Sequence, residues 1–353
     1  MVAGLTSEQL SLRDAVRDIL RVESPPDAAR QAMTDPERWR AVWKTVVGLG
    51  WTELATPGGE YGPLELAAVL EECGTAIAPI PLLSSVGLAA GALRGTGLDA
   101  ALAEIAAGAV ATLAVHAPGS RLPGAPATLR DGRLRGRAVA VPHATRAELI
   151  VTLARTDGAV VAAVARCGDG VSATAGESTD PAQPLADVEF DVEPLATAPV
   201  DAEFALAAPL AAAAADLVGV AGAALHRSVE HAKARHQFGK PIGAFQGIKH
   251  ALADNYVALE RARSLTYAAA ARLADPGTTS AEAWTAAALA KAAAGDAATT
   301  CARTAVQVHG AVGQTWEHDV HLYVRHAWQG AAQLGDSRAL YRDVGRRFAG
   351  SAA

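Results

Sequence analysis

Arg235-His236-Gln237-Phe238-Gly239-Lys240-Pro241-Ile242, followed at once by Phe245-Gln246, is the stretch from which the rest of the chain is best read. Gly239 and Pro241 punctuate the chain within three residues, so a short loop is expected at Phe238-Gly239-Lys240-Pro241. The chain on both sides is Ala-rich with helical patterning from Asp201 onward. Further breaks fall at Asp275-Pro276-Gly277 and between Gly310 and Gly313. Four helices, two of them long, are expected to form a bundle.

Toward the N-terminus the pattern changes twice. Between Gly108 and Pro199 short runs rich in Val and Leu are broken by Asp131-Gly132 and Asp157-Gly158, each a two-residue hairpin signal. Strands are expected at 111–115, 127–130, 133–141, 149–155, 159–165 and 188–192, with Pro194 to Pro199 as a linker. Ahead of them, Thr6 with Gln9 three residues on is a capping box for an amphipathic helix carrying Leu12, Val16 and Leu20. Asp35-Pro36 reads as a second helix start, with Trp39, Val42, Trp43 and Val46 on one face. After the turn Pro57-Gly58-Gly59, helices are expected to begin near Pro63 and Pro81, with a short one over 98–107. The expected class is α+β, mainly α: a helical domain over residues 1–107, a β domain over 108–198 and a helical bundle over 199–353.

Composition narrows the function. The 353 residues are 50% hydrophobic but only 5% aromatic, which suits an aliphatic, Ala-dominated core. With 31 basic against 37 acidic residues the net charge is -6, and no basic run could neutralise a phosphate backbone, so nucleic acid is not an expected partner. The tract 205–220 contains Pro209 and Asp216, and is expected to fall short of a membrane span. Cys73, Cys167 and Cys301 lie too far apart for a zinc spacing or a disulfide framework, and the N-terminus lacks a signal-peptide layout; a cytoplasmic setting is expected. No metal site is expected: His231 and His236 are not an i,i+4 pair, and His318, His321 and His326 lack convergent carboxylates beyond Asp319. Trp284, Trp316 and Trp328 read as packing or interface residues.

The decisive stretch resembles the R-x-x-F-G-x-x-I…Q segment of the acyl-CoA dehydrogenase family. Ala305-Val306-Gln307-Val308-His309-Gly310-Ala311-Val312-Gly313 is similar to that family's A-x-Q-x-x-G-G-x-G. The resemblance implies an N-terminal helical domain, a middle β domain and a C-terminal four-helix bundle, in the order already read. It also implies that Arg235, Gln237, Phe238, Gln246, Gln307 and Gly310 reach across a subunit interface to the AMP and pyrophosphate end of an FAD held by a neighbour. The residue types suit such a contact, since an Arg fork can bind a diphosphate in bidentate fashion and Gly310 lets backbone approach closely.

The same resemblance exposes what is missing. α,β-Dehydrogenation needs a carboxylate within reach of the substrate's α carbon. Some relatives carry it in a Y-E-G-T segment after R-D-A; here Arg325-His326-Ala327 leads to Gln333-Leu334-Gly335-Asp336, so the glutamate position holds Leu334. Others place it at the start of the first bundle helix, where this chain has Pro209-Leu210. Asp336 reads as the cap of the helix beginning at Ser337, and Glu203 is the other alternative for a relocated base. The T-E-P-x-x-G-S segment that holds the flavin ring is reduced to His116-Ala117-Pro118-Gly119-Ser120, and the W-I-T segment to Ala140-Val141-Pro142. His116 and His143 are expected to be solvated. By resemblance, the chain is the non-catalytic subunit of an actinobacterial α2β2 heterotetramer that oxidises steroid side-chain CoA thioesters, with no catalytic residue of its own. It would share FAD with a homologous catalytic subunit that passes electrons to an electron-transfer flavoprotein. Two other readings stand beside it: a self-sufficient homo-oligomer with a displaced base, and a flavin-free acyl-CoA-binding scaffold.

Overall fold

A computed structural model describes residues 5–350 except 26, 57, 58, 60 and 169; the turn expected at Pro57-Gly58 lies outside the described residues. The capping box forms as read, with the Thr6 and Gln9 side chains each bonded to the other's backbone N–H, and starts α1 (Ser7–Glu23). A short α2 (Ala28–Thr34) follows. Asp35 closes it instead of opening the next helix: its carboxylate accepts from the Glu37 N–H across one turn, and α3 (Trp39–Gly48) begins at Trp39. Trp39, Val42, Trp43 and Val46 are its buried face. α4 (Pro63–Ala76) opens on its proline, a π-helical run (Leu83–Ala90) leads into α5 (Gly91–Leu93), and α6 (Asp99–Ala106) closes the unit.

Among the described residues the β unit has eight strands: β1 (Ala111–Ala114), β2 (Ala127–Arg130), β3 (Arg133–Pro142), β4 (Leu149–Arg155), β5 (Val160–Arg166), β6 (Val171–Ala175), β7 (Leu185–Val192) and β8 (Ala196–Pro199). Their order is β6-β7-β3-β2-β4-β5-β8, and β1 pairs in parallel with β4. Asp131 and Gly132 both have positive φ, the geometry that a tight β2–β3 hairpin requires. The segment expected as a Pro194 to Pro199 linker contains β8, because pairing with β5 satisfies its backbone despite the flanking prolines. β6 was not expected; its run Val171-Ser172-Ala173-Thr174-Ala175 alternates only weakly.

Among the described residues five helices make the C-terminal unit: α7 (Ala202–Ala234), α8 (Gln246–Ala274), α9 (Ser280–His309), α10 (Val320–Ala332) and α11 (Ser337–Gly350). Three of them are long, where four helices with two long ones were expected. α7 runs unbroken through Pro209, so the tract around it is long and apolar enough for a membrane span by length and composition, contrary to expectation. Its most apolar window is 89% buried inside the protein, as suits a central core helix. α7 packs on α4, α8, α9 and α10. Its crossing with α4 is backbone against backbone: a Cβ on Gly219 would stand 1.9 Å from the Glu71 carbonyl, and one on Gly74 would stand 1.9 Å from that of Asp216. The α4 acids beside this crossing are tied down by arginines from outside it, Glu71 by Arg263 and Glu72 by Arg17.

Candidate functional site

The two segments that carry the resemblance come together at one end of the bundle. Arg235 ends α7, and His236–Gln237 pairs with Lys240–Pro241 as a two-strand ribbon whose tip is Phe238-Gly239. Buried Ile242 packs with Ala232 and Val308, and so clamps this ribbon to the end of α9 beside Gln307 and Gly310. Phe238 has φ +54 and is 90% exposed, supported by an edge-on contact with Phe245 at 6.0 Å. Arg235, Gln237, Gln246, Gln307 and Gly310 are all exposed. Among the described residues, the side chains of Arg235, Gln237, Gln246 and Gln307 make no hydrogen bond or ion pair within the chain, so their polar ends are available to a ligand outside it. Close by, the rings of His231, His309 and His318 pack in series at 4.2 and 4.7 Å, with His309 Nδ1 bonded to the Ala305 carbonyl oxygen. No metal-binding group of three ligands occurs among the described residues.

The interdomain cleft is different. The loop after α10 holds Leu334 buried with φ +55, and its N–H donates to His116 Nε2 at 3.1 Å. His116 is therefore a neutral acceptor here; burial, then the nearby Lys291 ammonium, lowers its pKa to about 4. Beneath the same loop Lys291 of α9, only 1% exposed, donates to the carbonyls of Ala331 and Gly335. Burial lowers its pKa to about 7, partly offset by Asp336, Asp216 and Asp296. Opposite, the segment that stands where relatives have the ring clamp is a β-bulge between Ala138 and Val141, with Ala140 at φ +53, and the Pro142 carbonyl is taken by the Thr112 hydroxyl.

Between Pro142 and Gln333 the cleft is filled with polar side chains. His326 of α10 lies between two buried carboxylates, 3.0 Å from Asp180 and 2.9 Å from Asp216. Burial alone would lower its pKa, but the Asp216 and Asp180 carboxylates outweigh it and raise the value to about 10, so the ring is a cation at neutral pH. One turn on, Gln329 accepts from the Asp180 N–H and donates to the Gln183 carbonyl. Gln183 in turn bonds His143 Nε2 at 2.5 Å. His143 is buried, with its pKa lowered to about 3 by burial and then by Arg146. His143 is thus buried and His116 half-buried, and both are bonded, contrary to the expectation that turn histidines are solvated; contacts from distant segments hold them. The space left is about 40 Å3, which holds a few water molecules at most. A small-molecule site needs roughly 300 Å3 or more, so these residues do not fit a flavin ring.

Neither candidate for a displaced base is free. Asp336 caps α11 through the Ala339 N–H, as expected, and its other oxygen is paired with Arg121. Glu203 is paired with Arg347. Of the tryptophans, Trp284 is buried under the Arg347 guanidinium, while Trp316 and Trp328 are about half exposed.

Sequence profiles of the acyl-CoA dehydrogenase N-terminal and C-terminal domains match residues 6–110 and 204–348. The chain belongs to the acyl-CoA dehydrogenase family. It is 32% identical over 350 residues to acyl-CoA dehydrogenase IpdE2 of Mycolicibacterium smegmatis, covering 96% of this chain and 98% of that one. With acyl-CoA dehydrogenase FadE34 of Mycobacterium tuberculosis it is 33% identical over 359 residues, which covers 98% of this chain but only 48% of that longer protein. Among solved structures it resembles a chain of the ChsE4-ChsE5 complex from Mycobacterium tuberculosis, with a TM-score of 0.85, 28% identity and 98% of both chains covered. It also resembles the Tcur3481-Tcur3483 steroid acyl-CoA dehydrogenase G363A variant, with a TM-score of 0.88, 26% identity, and 98% and 99% covered. The acyl-CoA dehydrogenase fold of helical, β and helical units is thereby shared across the whole chain, and members of the family bind FAD.

Proposed function

We propose that this chain is a non-catalytic subunit of a heterotetrameric acyl-CoA dehydrogenase and completes the FAD site of a homologous, glutamate-bearing partner. The observation that carries the reading is the Leu334–His116 bond: the loop that would offer a base offers a leucine, and its backbone is locked onto the strand end that would hold the ring. Arg235, Gln237, Phe238, Gln246, Gln307 and Gly310, exposed at the other end, would hold the nucleotide tail by charge, amide donors and close backbone approach. The FAD supplies a hydride acceptor when bound, and the partner supplies the base. Steroid side-chain CoA thioesters as substrates, an electron-transfer flavoprotein as acceptor and a cytoplasmic setting are parts of the same proposal. The steroid substrates and the two-component assembly draw support from the steroid enzyme and the complex among the similar structures.

Co-expression with a homologous chain that has an intact glutamate tests it. A stable yellow complex that turns over acyl-CoA, beside a colourless protein from this chain alone, is the expected result. A yellow protein from this chain alone that is bleached by an acyl-CoA would sink the proposal in favour of a self-sufficient enzyme. A complex-free, flavin-free protein that binds acyl-CoA would favour a scaffold.

A further inference from the structure

A second cavity, of about 350 Å3, lies among α4, α5, α7 and α8 and shares no lining residue with the interdomain cleft. Its walls are apolar, with Leu66 and Ala67 of α4, Ala208 and Ala211 of α7 and Leu273 of α8 among them. Three polar side chains interrupt them, the exposed Tyr61 at the rim, Arg94 and Thr56. Arg94, at the end of α5, is half-buried, and among the described residues its guanidinium has neither a hydrogen bond nor an ion pair. An arginine at a helix end usually bonds the last carbonyls, but here the Thr96 hydroxyl takes the Leu93 carbonyl and the Arg94 N–H itself takes that of Gly91. On another part of the wall the Thr56 hydroxyl is buried with no partner among the described residues. A guanidinium held among apolar side chains without a counter-charge is unfavourable, and burial lowers the Arg94 pKa accordingly.

We propose that this cavity binds an apolar monocarboxylate, its chain along the α4–α7–α8 wall and its carboxylate on Arg94, with Thr56 as a further donor. One cation in an apolar chamber matches one negative charge. A phosphomonoester carries about −1.5 to −2 and would leave charge buried without a partner. A CoA thioester has no free carboxylate, and its nucleotide phosphates find no second cation on this wall. The proposal does not depend on whether the chain catalyses anything.

The test is calorimetric titration of the full chain with decanoate below its micelle concentration, beside 1-decanol and decanoyl-CoA. Decanoate is expected to bind wild type, and Arg94→Gln to weaken it at least tenfold while leaving 1-decanol unchanged. Arg94→Lys should recover part of the loss, and Ala208→Trp, which fills the cavity, should remove both ligands. Because Arg94 has no partner among the described residues, Arg94→Gln should keep the wild-type Tm. No decanoate binding, equal affinity in Arg94→Gln, binding that survives Ala208→Trp, or tighter binding of decanoyl-CoA through Arg94 would each overturn the assignment.

Discussion

His326 is an imidazolium clasped by two carboxylates from different parts of the chain, 146 and 110 residues away in sequence. Truncating it leaves Asp180 and Asp216 buried against each other with no cation between them, so His326→Ala should cost about 3–5 kcal/mol in denaturant unfolding. Its pH dependence has a definite sign. The folded-state pKa of about 10 stands above the ordinary 6.5, so the stabilisation is full below about 6.5 and is lost as pH rises toward 10. Lys291 works oppositely: its folded value of about 7 lies below the ordinary 10.5, so its contribution is present above 10.5 and lost as pH falls toward 7. Between about 7 and 10 the two groups offset each other. Lys291→Met is therefore expected to uncover a steeper fall in Tm from pH 7 to 10 than wild type shows; an unchanged slope would remove Lys291 from this balance. Neither group was legible in the sequence. Lys291 is a lone basic residue in an alanine run and Asp216 a lone acid in another, and only the packing of α7, α9 and α10 reveals that both are enclosed.

Arg235, Gln237 and Phe238 belong to one ribbon, and that is why they could be read: their spacing is local, and a Gly and a Pro fix the turn. Gln307 and Gly310 could be read because their segment is also local, although the Ile242–Val308 packing that joins the two segments could not. Since the ribbon is exposed, Arg235→Ala in the assembled complex should weaken FAD retention at least tenfold, measured by flavin release on dilution, without moving the Tm of the isolated chain. The loop after α10 should respond to acid. His116, with its pKa near 4, keeps its acceptor lone pair above the ordinary 6.5 and loses that contribution as pH falls through 4, so the Leu334 amide should exchange its hydrogen faster at pH 4 than at pH 7 after correction for intrinsic rates. His116→Ala should show the fast exchange at both. The α4–α7 crossing has no such latitude. Gly219→Ala forces a methyl into the Glu71 carbonyl and should lower stability by about 3 kcal/mol or more.

At the scale of the whole molecule, the order of helical unit, sheet and helical unit was legible because helical patterning gives way to short Val- and Leu-rich runs broken by hairpin signals and then returns in an Ala-rich form. The extent of α7, from Asp201 to the loop at Phe238, was legible too; that its apolar run is long enough for a membrane span was not, since a proline and an aspartate lie inside the alanine tract. The helix persists because α4, α8, α9 and α10 all pack on it. The size of the cleft was also beyond sequence reasoning, although the substitutions that line it were visible one by one. Restoring the base alone is accordingly not expected to restore catalysis: Leu334→Glu in the isolated chain should show no flavin reduction by any acyl-CoA, because the Leu334 N–H is tied to His116 and the neighbouring cavity lined by Pro142 and Gln333 is only about 40 Å3. Flavin bleaching by that single variant would contradict the filled cleft.

Phe238, nine-tenths bare at the tip of its ribbon, has a consequence for how the chain must be made. Copies synthesised beyond the supply of a covering partner display that aromatic tip along with half-exposed Trp316 and Trp328, and such surface attracts chaperones, proteases and other copies. Under the proposed pairing, matched translation of two reading frames then becomes a solubility requirement, and an excess of this chain should settle into the insoluble fraction in proportion to the imbalance.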